Sequence, residues 1–251
     1  MPIITVSNQK GGVGKSTIAV HLAMALQAHD KRVLFLDLDP QANASKTLER
    51  RTPAAKIASS QLFNEAVEGV DGSDSLTLIQ ADSAMADIER ADPSVLIVFK
   101  RNLENLAHHF DYCVIDTPPT LGLRMTAALI VADHVLAPIE LEEYSIDGIT
   151  KMLQTVFGVK EKWNPDLNFL GMLPNRFNPR SLAQKATLAN LVQHYSHLLI
   201  KARIGIRSSI PEALADGIPV WQLKKTAARE AEREFKAAFA IVYEKMGGIE
   251  S

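Results

Sequence analysis

The chain has 251 residues, of which 47% are hydrophobic and 22% are charged. This composition is ordinary for a globular protein that buries a sizeable core, and it excludes an intrinsically disordered chain. The formal net charge is -2 and the isoelectric point is about 6.4. Any contact with nucleic acid therefore has to come from a local basic surface.

Short β-branched runs alternate with longer helical patterns along the chain, which indicates repeated βαβ units. Several strands lack polar alternation, as strands covered on both faces do. The sequence therefore predicts one α/β domain over residues 1–251, a doubly wound, mostly parallel sheet with helices on both faces. The predicted strands are 3–7, 32–37, 75–80, 112–116, 134–138 and 169–173. The predicted helices are 16–29, 95–109, 123–132, 145–162, 181–197 and 225–246. Residues 52–75 are the least regular, and we expect mobile surface structure there rather than a domain boundary.

No segment of the sequence points to secretion or to a membrane. Residues 1–6 lack the basic region, apolar segment and cleavage site of a secretory signal. The longest apolar runs, such as 127–132, are far shorter than the roughly 20 residues that span a bilayer. The single cysteine, Cys113, excludes an intramolecular disulfide and is expected to be a buried thiol. We therefore expect a cytoplasmic protein.

A glycine-rich loop lies between the first predicted strand and the first predicted helix. Its glycines allow the backbone amides to turn inward, and the helix amino terminus adds partial positive charge, so the loop is predicted to bind the phosphates of ATP. Lys15 is expected to contact the β and γ phosphates, and the hydroxyl of Ser16 to bind Mg²⁺. The predicted loop residues are Lys10, Gly11, Gly12, Val13, Gly14, Lys15, Ser16 and Thr17.

Three aspartates follow predicted strands. Asp37 and Asp39 lie at the end of the second strand, and Asp116 ends the strand 112–116. Ligands of open parallel sheets bind at the carboxyl edge, so these carboxylates are expected near the phosphates. Asp37 and Asp116 are predicted to hold Mg²⁺, Asp116 through water, and Asp39 to position or activate the attacking water. The alternative for any one of them alone is a cap on the following helix.

These motifs carry a family resemblance. Residues 8–17 resemble the deviant Walker A motif of the ParA/MinD group of ATPases, which has a second lysine near the start of the loop, here Lys10. Residues 37–43 resemble the family's switch I, and residues 116–122 its Walker B motif and switch II. The resemblance is strong over residues 1–150 and weaker up to residue 220. The pattern Asp-x-Asp-Pro-Gln points to the ParA subgroup, in its short form without an amino-terminal helix-turn-helix.

The resemblance implies an ATP-dependent homodimer that hydrolyses ATP slowly until a partner stimulates it. Each Lys10 would reach the partner's nucleotide. The expected catalytic residues are therefore Lys10 together with Lys15 and Asp39 of the motifs above. A cation that reaches phosphates across an interface stabilises the dimer only while those charges remain.

The resemblance also places the adenine near Asn175, Pro211 and Glu212. The sequence departs from the family there, because a common Pro-Arg pair upstream is replaced by Gly205 and Ile206. The alternative is that Asn and Pro at these positions only form turns.

Nonspecific DNA binding in the ATP state is a further implication, with the chain associated with the nucleoid. The last predicted helix is amphipathic and has a basic edge that dimerisation would double. The predicted DNA contacts are Arg203, Arg207, Lys225, Arg229, Arg233 and Lys236. The alternative is a solvated face in which Glu232 and neighbouring glutamates pair with these cations. MinD-like membrane anchoring is not expected of this helix, because its glutamates dilute the basic charge.

Three functions remain open from the sequence. The first is partition of plasmid or chromosome DNA, with a ParB-type centromere-binding protein as activator. The second is positioning of a protein cargo, such as a chemoreceptor cluster or a microcompartment. The third is a small-molecule kinase, a ligase or a metal-cluster reductase, which the single buried cysteine and the lack of an acceptor site disfavour.

Overall fold

The structure is a computed structural model that describes residues 1–70, 72–142 and 145–249, with the backbone alone at residues 145–147. The strands in this part of the chain are β1 Ile3–Val6, β2 Val33–Asp37, β3 Ala54–Ala58, β4 Leu76–Gln80, β5 Tyr112–Asp116, β6 His134–Glu140 and β7 Asn168–Asn175. The α-helices are α1 Lys15–Gln27, α2 Asn43–Leu48, α3 Val95–Leu106, α4 Leu123–Val131, α5 Ser145–Lys162, α6 Leu182–Tyr195, α7 Ser209–Ala215 and α8 Thr226–Lys245.

The strands form one seven-stranded sheet in the order β3-β4-β2-β5-β1-β6-β7. Every recorded strand pair is parallel. Strands β2 to β5 lie on one side of β1, and β6 and β7 lie on the other, which is the arrangement of a doubly wound sheet. The predicted fold class is therefore confirmed.

Helices cover both faces of the sheet, as the unbroken apolar strands predict. Val33 and Phe35 of β2 face a core that α1, α7 and α8 complete. Leu34 and Leu36 of the same strand face a second core, which α3 and α4 complete. Successive side chains of a strand point to opposite faces, so a strand buried on both faces has to be apolar throughout. Cys113 is fully buried, as expected.

The expectation of mobile surface structure over residues 52–75 is wrong for residues 54–63. Residues 54–58 form the edge strand β3, which pairs with β4. A 3₁₀ helix at Ser59–Phe63 then buries Leu62 and Phe63 completely. Strand β3 has only exposed and half-buried side chains, as edge strands often do, so its sequence shows no apolar run that would predict a strand.

Two short helices were also absent from the sequence prediction. Helix α2 has 6 residues and α7 has 7, which is too short for a helical period to be recognised. Both matter for the site, because α2 follows Asp39 and α7 contains Pro211. No helix of the described chain is long and apolar enough to cross a membrane.

Candidate nucleotide-binding site

The carboxyl ends of three neighbouring strands bring the predicted motifs together. Asp116 at the end of β5 pairs with Val6 of β1 on one side and with Asp37 of β2 on the other. The glycine-rich loop leaves β1 immediately after Val6. The two carboxylates therefore lie beside the start of the loop, as the sequence predicts.

The loop depends on glycine at two positions with left-handed backbone. Gly12 has φ 78° and Gly14 has φ 90°, a region that is strained for other residues. A Cβ atom on Gly12 would meet open space, whereas one on Gly14 would lie 2.2 Å from Nδ2 of Asn175. Gly14 is therefore required for its backbone angle and for the close approach of Asn175.

Asn175, predicted near the adenine, contacts the loop itself. Its Nδ2 donates a hydrogen bond of 2.7 Å to the carbonyl oxygen of Val13, and the side chain is 3% exposed. The amide thereby fixes the loop to the end of β7. The amide oxygen and the second hydrogen of Nδ2 remain for a nucleotide base.

Hydrogen bonds join the start of the loop to strand β6 and helix α5. Asn8 donates from Nδ2 to the carbonyl of Pro138 at 2.7 Å, and its Oδ1 accepts the amide of Lys10 at 2.9 Å. Gln9 donates from Nε2 to Oγ1 of Thr155 at 2.6 Å. Sequence reasoning missed these residues as structural parts of the site. Their partners lie about half the chain away, so no local pattern indicates them.

Lys15 is buried under the loop that it is expected to serve. Its Nζ donates to the carbonyl oxygen of Lys10 at 3.1 Å, and the residue is 6% exposed. Burial lowers the pKa of Lys15, and the carboxylates of Asp116 and Asp39 act in the opposite direction. An ammonium group in this position is available to pair with phosphate oxygens.

Asp116 is the least satisfied carboxylate of the site. It is fully buried, and neither oxygen accepts a hydrogen bond from a described residue. Burial raises the pKa of Asp116 well above its usual range, and the charge of Asp37 adds to the effect. The Ser16 hydroxyl is close enough to lower this pKa but lies outside hydrogen-bond geometry. An unpaired buried carboxylate is costly, and a divalent cation held with the Ser16 hydroxyl would satisfy it.

Asp37 is already occupied by three donors. Its Oδ1 accepts the amide of Asp39 at 3.0 Å, and its Oδ2 accepts the amide and the hydroxyl of Ser45 at 2.8 and 2.7 Å. Burial raises the pKa of Asp37, and these hydrogen bonds oppose the rise. Asp37 therefore joins the end of β2 to α2 through hydrogen bonds. This role is additional to the predicted one near the metal. Ser45 was missed, because a serine inside a short helix carries no distinctive signal.

Asp39 lies in a tight turn directly after β2. It is 7% exposed, and its Oδ1 accepts the amide of Gln41 at 3.0 Å. The amide of Ala42 donates to the Asp39 carbonyl at 2.8 Å, and Ala42 has φ 54°. This turn fixes the carboxylate near Lys15, whose pKa responds to its charge.

Lys10 is bound within its own chain. Its Nζ lies 2.9 Å from Oε2 of Glu142 and 3.8 Å from Oε2 of Glu140. Glu140 also pairs with Arg176 at 3.1 Å. The Lys10 side chain is 41% exposed, so this pair is solvated and contributes little free energy. Lys10 can therefore leave Glu142 and pair with another anion at little cost in free energy.

A cavity of about 360 Å³ adjoins the loop where the base is expected. Gly14, Thr17, Asn175 and Pro211 all line it, together with residues 205–208. Glu212 does not line this cavity and pairs with Lys225 at the surface. The structure thus brings Asn175 and Pro211 together at the loop and directs Glu212 elsewhere.

Three of the six predicted DNA contacts are paired with acidic groups of the same chain. Lys236 pairs with Glu232 at 2.7 Å, and Lys225 with Glu212. Arg207 pairs with Glu234 at 2.7 Å and with Glu230 at 2.8 Å. The Arg207 side chain is partly buried.

The other predicted cations are more accessible. Arg203 lies over the ring of Phe177, at 4.7 Å from its centroid. Arg229 and Arg233 are exposed on α8 and have no ion-pair partner among the described residues. The charge available on this helix is therefore concentrated on these two arginines.

Comparisons with known proteins agree with this geometry. The family model described as "AAA domain" matches residues 1–169. Protein IncC of Escherichia coli is 43% identical over 258 aligned residues, which cover 98% of this chain and 70% of that protein. The chromosome partitioning protein ParA of Myxococcus xanthus is 35% identical over 71% of this chain and 66% of that protein.

A solved structure with a similar fold contains a bound nucleotide and magnesium. Cobyrinic acid a,c-diamide synthase from Mycobacterium smegmatis, with bound ADP and magnesium, matches with a TM-score of 0.75 at 28% identity. The match covers 99% of this chain and 97% of that chain. Together with the second lysine of the loop and the aspartates at the sheet edge, these similarities show that the chain belongs to the ParA/MinD family of partition ATPases.

Proposed function

We propose that this chain is an ATP-switched partition protein. In the ATP state it forms a homodimer that binds nonspecific DNA. A ParB-type centromere-binding protein stimulates hydrolysis to ADP and phosphate, and the cycle segregates plasmid or chromosome DNA. The observation that carries this proposal is the buried, unpaired carboxylate of Asp116 beside a lysine-bearing loop, in a chain 35% identical to a protein named for chromosome partitioning.

The site residues divide into three groups by what they hold. The loop amides, Lys15 and Thr17 bind the phosphates of ATP. Ser16 and Asp116 hold Mg²⁺, with Asp37 close by, and the ion neutralises phosphate charge. Asn175 and Pro211 bound the base in the adjoining cavity.

Hydrolysis then depends on Asp39 and Lys10. Asp39 orients the attacking water next to Lys15, and the lack of a stronger base among the described residues of the site keeps the rate low. Lys10 leaves Glu142 and pairs with the partner's phosphates, which bind it more strongly than a solvated carboxylate does. Loss of phosphate returns Lys10 to Glu142 and weakens the dimer.

Partition is favoured over the other functions by sequence similarity. The structural neighbour named as a diamide synthase is 28% identical, whereas IncC is 43% and ParA is 35% identical. A protein cargo in place of DNA uses the same nucleotide chemistry and is distinguished by the DNA measurement below.

The test follows oligomeric state and DNA retention in the same samples, with ATP, ADP or no nucleotide. Light scattering reports the dimer, and retention on arbitrary duplex DNA reports binding. We expect a dimer and salt-sensitive retention only with ATP. Lys15→Ala should abolish nucleotide binding, and Asp39→Ala should keep ATP and trap the dimer. A monomeric Asp39→Ala variant under ATP contradicts the switch, and a dimer that ignores DNA contradicts the DNA partner.

The DNA surface is tested with paired variants. Arg229→Glu with Arg233→Glu should abolish retention, because these arginines are exposed and have no partner among the described residues. The matched control is Lys56→Glu with Arg101→Glu, which reverses two exposed cations elsewhere. A control that loses as much binding as the α8 variant would mean that net charge, and not this surface, holds DNA.

A further inference from the structure

A long segment of this chain has only positive formal charge. Residues 167–211 contain no Asp or Glu, although the whole chain has 29 acidic residues. The cations of the segment are Arg176, Arg180, Lys185, Lys201, Arg203 and Arg207. The segment therefore has a positive net charge, whereas the whole chain has a net charge of -2. Arg176 and Arg207 pair with acidic groups from outside the segment, so Arg180, Lys185, Lys201 and Arg203 are the cations that suit an anionic partner.

Helix α6, in the middle of this segment, is poorly covered by the rest of the protein. Leu191 is the one residue of its 14 that is classed as buried. Leu182 is 80% exposed and Val192 is 51% exposed. Covering apolar side chains of this size is favourable, because it removes their surface from water. The helix therefore presents apolar surface that its own domain does not use.

The exposed side of α6 borders an apolar groove with a cationic rim. The groove is a cavity of about 430 Å³ between α6 and residues 199–203. Leu188, Val192, Leu199 and Ile200 line it, and Ser196 is among its few polar residues.

Two cations, Lys201 and Arg203, also line this cavity and are exposed to solvent. Pro174 lies in the groove lining directly before Asn175, the residue that holds the loop. The described lining of the groove and that of the cavity beside the loop have no residue in common.

The shape and chemistry of the groove favour a peptide over the other anionic polymers. DNA phosphates pair with cations and gain nothing from an aliphatic cavity. A lipid surface is met by a convex apolar face, whereas this one is concave. A cavity of this volume with aliphatic walls accepts one or two large apolar side chains, as in helix-in-groove recognition.

We propose that the groove between α6 and residues 199–203 binds an acidic amphipathic peptide segment of a partner protein. One or two apolar side chains of the peptide enter the cavity, and its Asp or Glu side chains pair with Lys201 and Arg203. This site is separate from the α8 surface and does not depend on the proposed DNA binding.

The test uses the whole chain and two fluorescent peptides of about 16 residues, long enough for four helical turns. Both carry Leu along one face, and the polar face is Glu in the probe and Lys in its counterpart. Fluorescence anisotropy should give saturable binding of the Glu peptide and at least about tenfold weaker binding of the Lys peptide. Duplex DNA and phosphatidylglycerol vesicles are measured in parallel.

The groove variant is Val192→Asp with Lys201→Glu, and the matched control is Ile97→Asp with Lys56→Glu. All four side chains are exposed, so both variants should fold, and retained nucleotide binding verifies this. The groove variant should bind the Glu peptide at least about tenfold more weakly, and the control should bind like the unaltered chain.

Three results would overturn the proposal. The first is equal binding of the Glu and Lys peptides, or of the Glu peptide to the groove variant and the control. The second is loss of DNA or vesicle binding in the groove variant while peptide binding persists. The third is a peptide-independent dimer that light scattering detects in the unaltered chain but not in the groove variant, because a second copy would then fill the groove.

Discussion

His21 should make this protein less stable as the pH falls below neutrality. The imidazole is fully buried between α1 and α8, stacked on Phe235 with ring centroids 4.3 Å apart. Its Nδ1 contacts the carbonyl oxygen of Thr17 at 2.8 Å, and its Nε2 accepts the amide of Val220 at 3.3 Å. These contacts fit the neutral ring with its proton on Nδ1. A second proton would remove the acceptor of the Val220 amide.

The size of the effect follows from the pKa of His21, which burial lowers from 6.5 to about 4. Between these values the unfolded chain binds a proton that the folded chain does not, so stability falls as the pH falls. From about pH 7.5 to about pH 5 this group alone should remove about 2 kcal/mol from the free energy of unfolding. The loss is complete below the folded pKa.

The assay compares urea unfolding of the unaltered chain and His21→Phe at both pH values. The phenylalanine keeps the stack on Phe235 but leaves the buried Val220 amide without its acceptor, so the variant is less stable at neutral pH by about 1–3 kcal/mol. Its additional loss between the two pH values should be about 2 kcal/mol smaller than that of the unaltered chain. The control is His29→Gln, an exposed histidine beyond the same helix, which should keep the full pH dependence. Equal pH dependence of His21→Phe and the unaltered chain would refute the reasoning.

Two further substitutions probe the nucleotide site. Gly14→Ala should weaken binding of an ATP analogue in calorimetry more than Gly12→Ala, because both strain a left-handed residue but only the first displaces Asn175 from the loop. Equal losses would mean that backbone strain alone is responsible. Ser45→Ala should lower the free energy of unfolding by about 1–3 kcal/mol, since a buried donor to Asp37 is lost. Ser45→Thr keeps the hydroxyl, and an equally large loss in that variant would assign the effect to packing.

The sequence was most informative where chemistry and local geometry coincide. A strand, a loop with Gly12 and Gly14, and a helix in direct succession indicate a phosphate-binding loop without knowledge of distant contacts. Asp116 could be placed for a similar reason, because the carboxyl ends of parallel strands share one edge of the sheet. The doubly wound architecture followed from strands that are apolar on both faces.

Charge patterning was a weaker guide. A basic stripe on α8 could be recognised from its helical period, but its pairing partners could not. Arg207 reaches Glu230 and Glu234 from outside the helix, across more than 20 residues of sequence. Glu212 was expected at the base and instead pairs with Lys225. Such pairs depend on how separate elements pack, so the stripe is reduced to Arg229 and Arg233 only when the tertiary structure is known.

The sequence by itself determined the fold class, the phosphate-binding loop and the identity of the carboxylates at the sheet edge, because each is encoded within a few consecutive residues or in a strand's own pattern. The tertiary structure decided which groups are already satisfied. Asp37 accepts hydrogen bonds from three donors, and Asp116 accepts none from the described residues. Lys10 forms an ion pair with Glu142. Hydrogen bonds and ion pairs join residues distant in sequence, so only the folded chain shows which charges remain for a ligand.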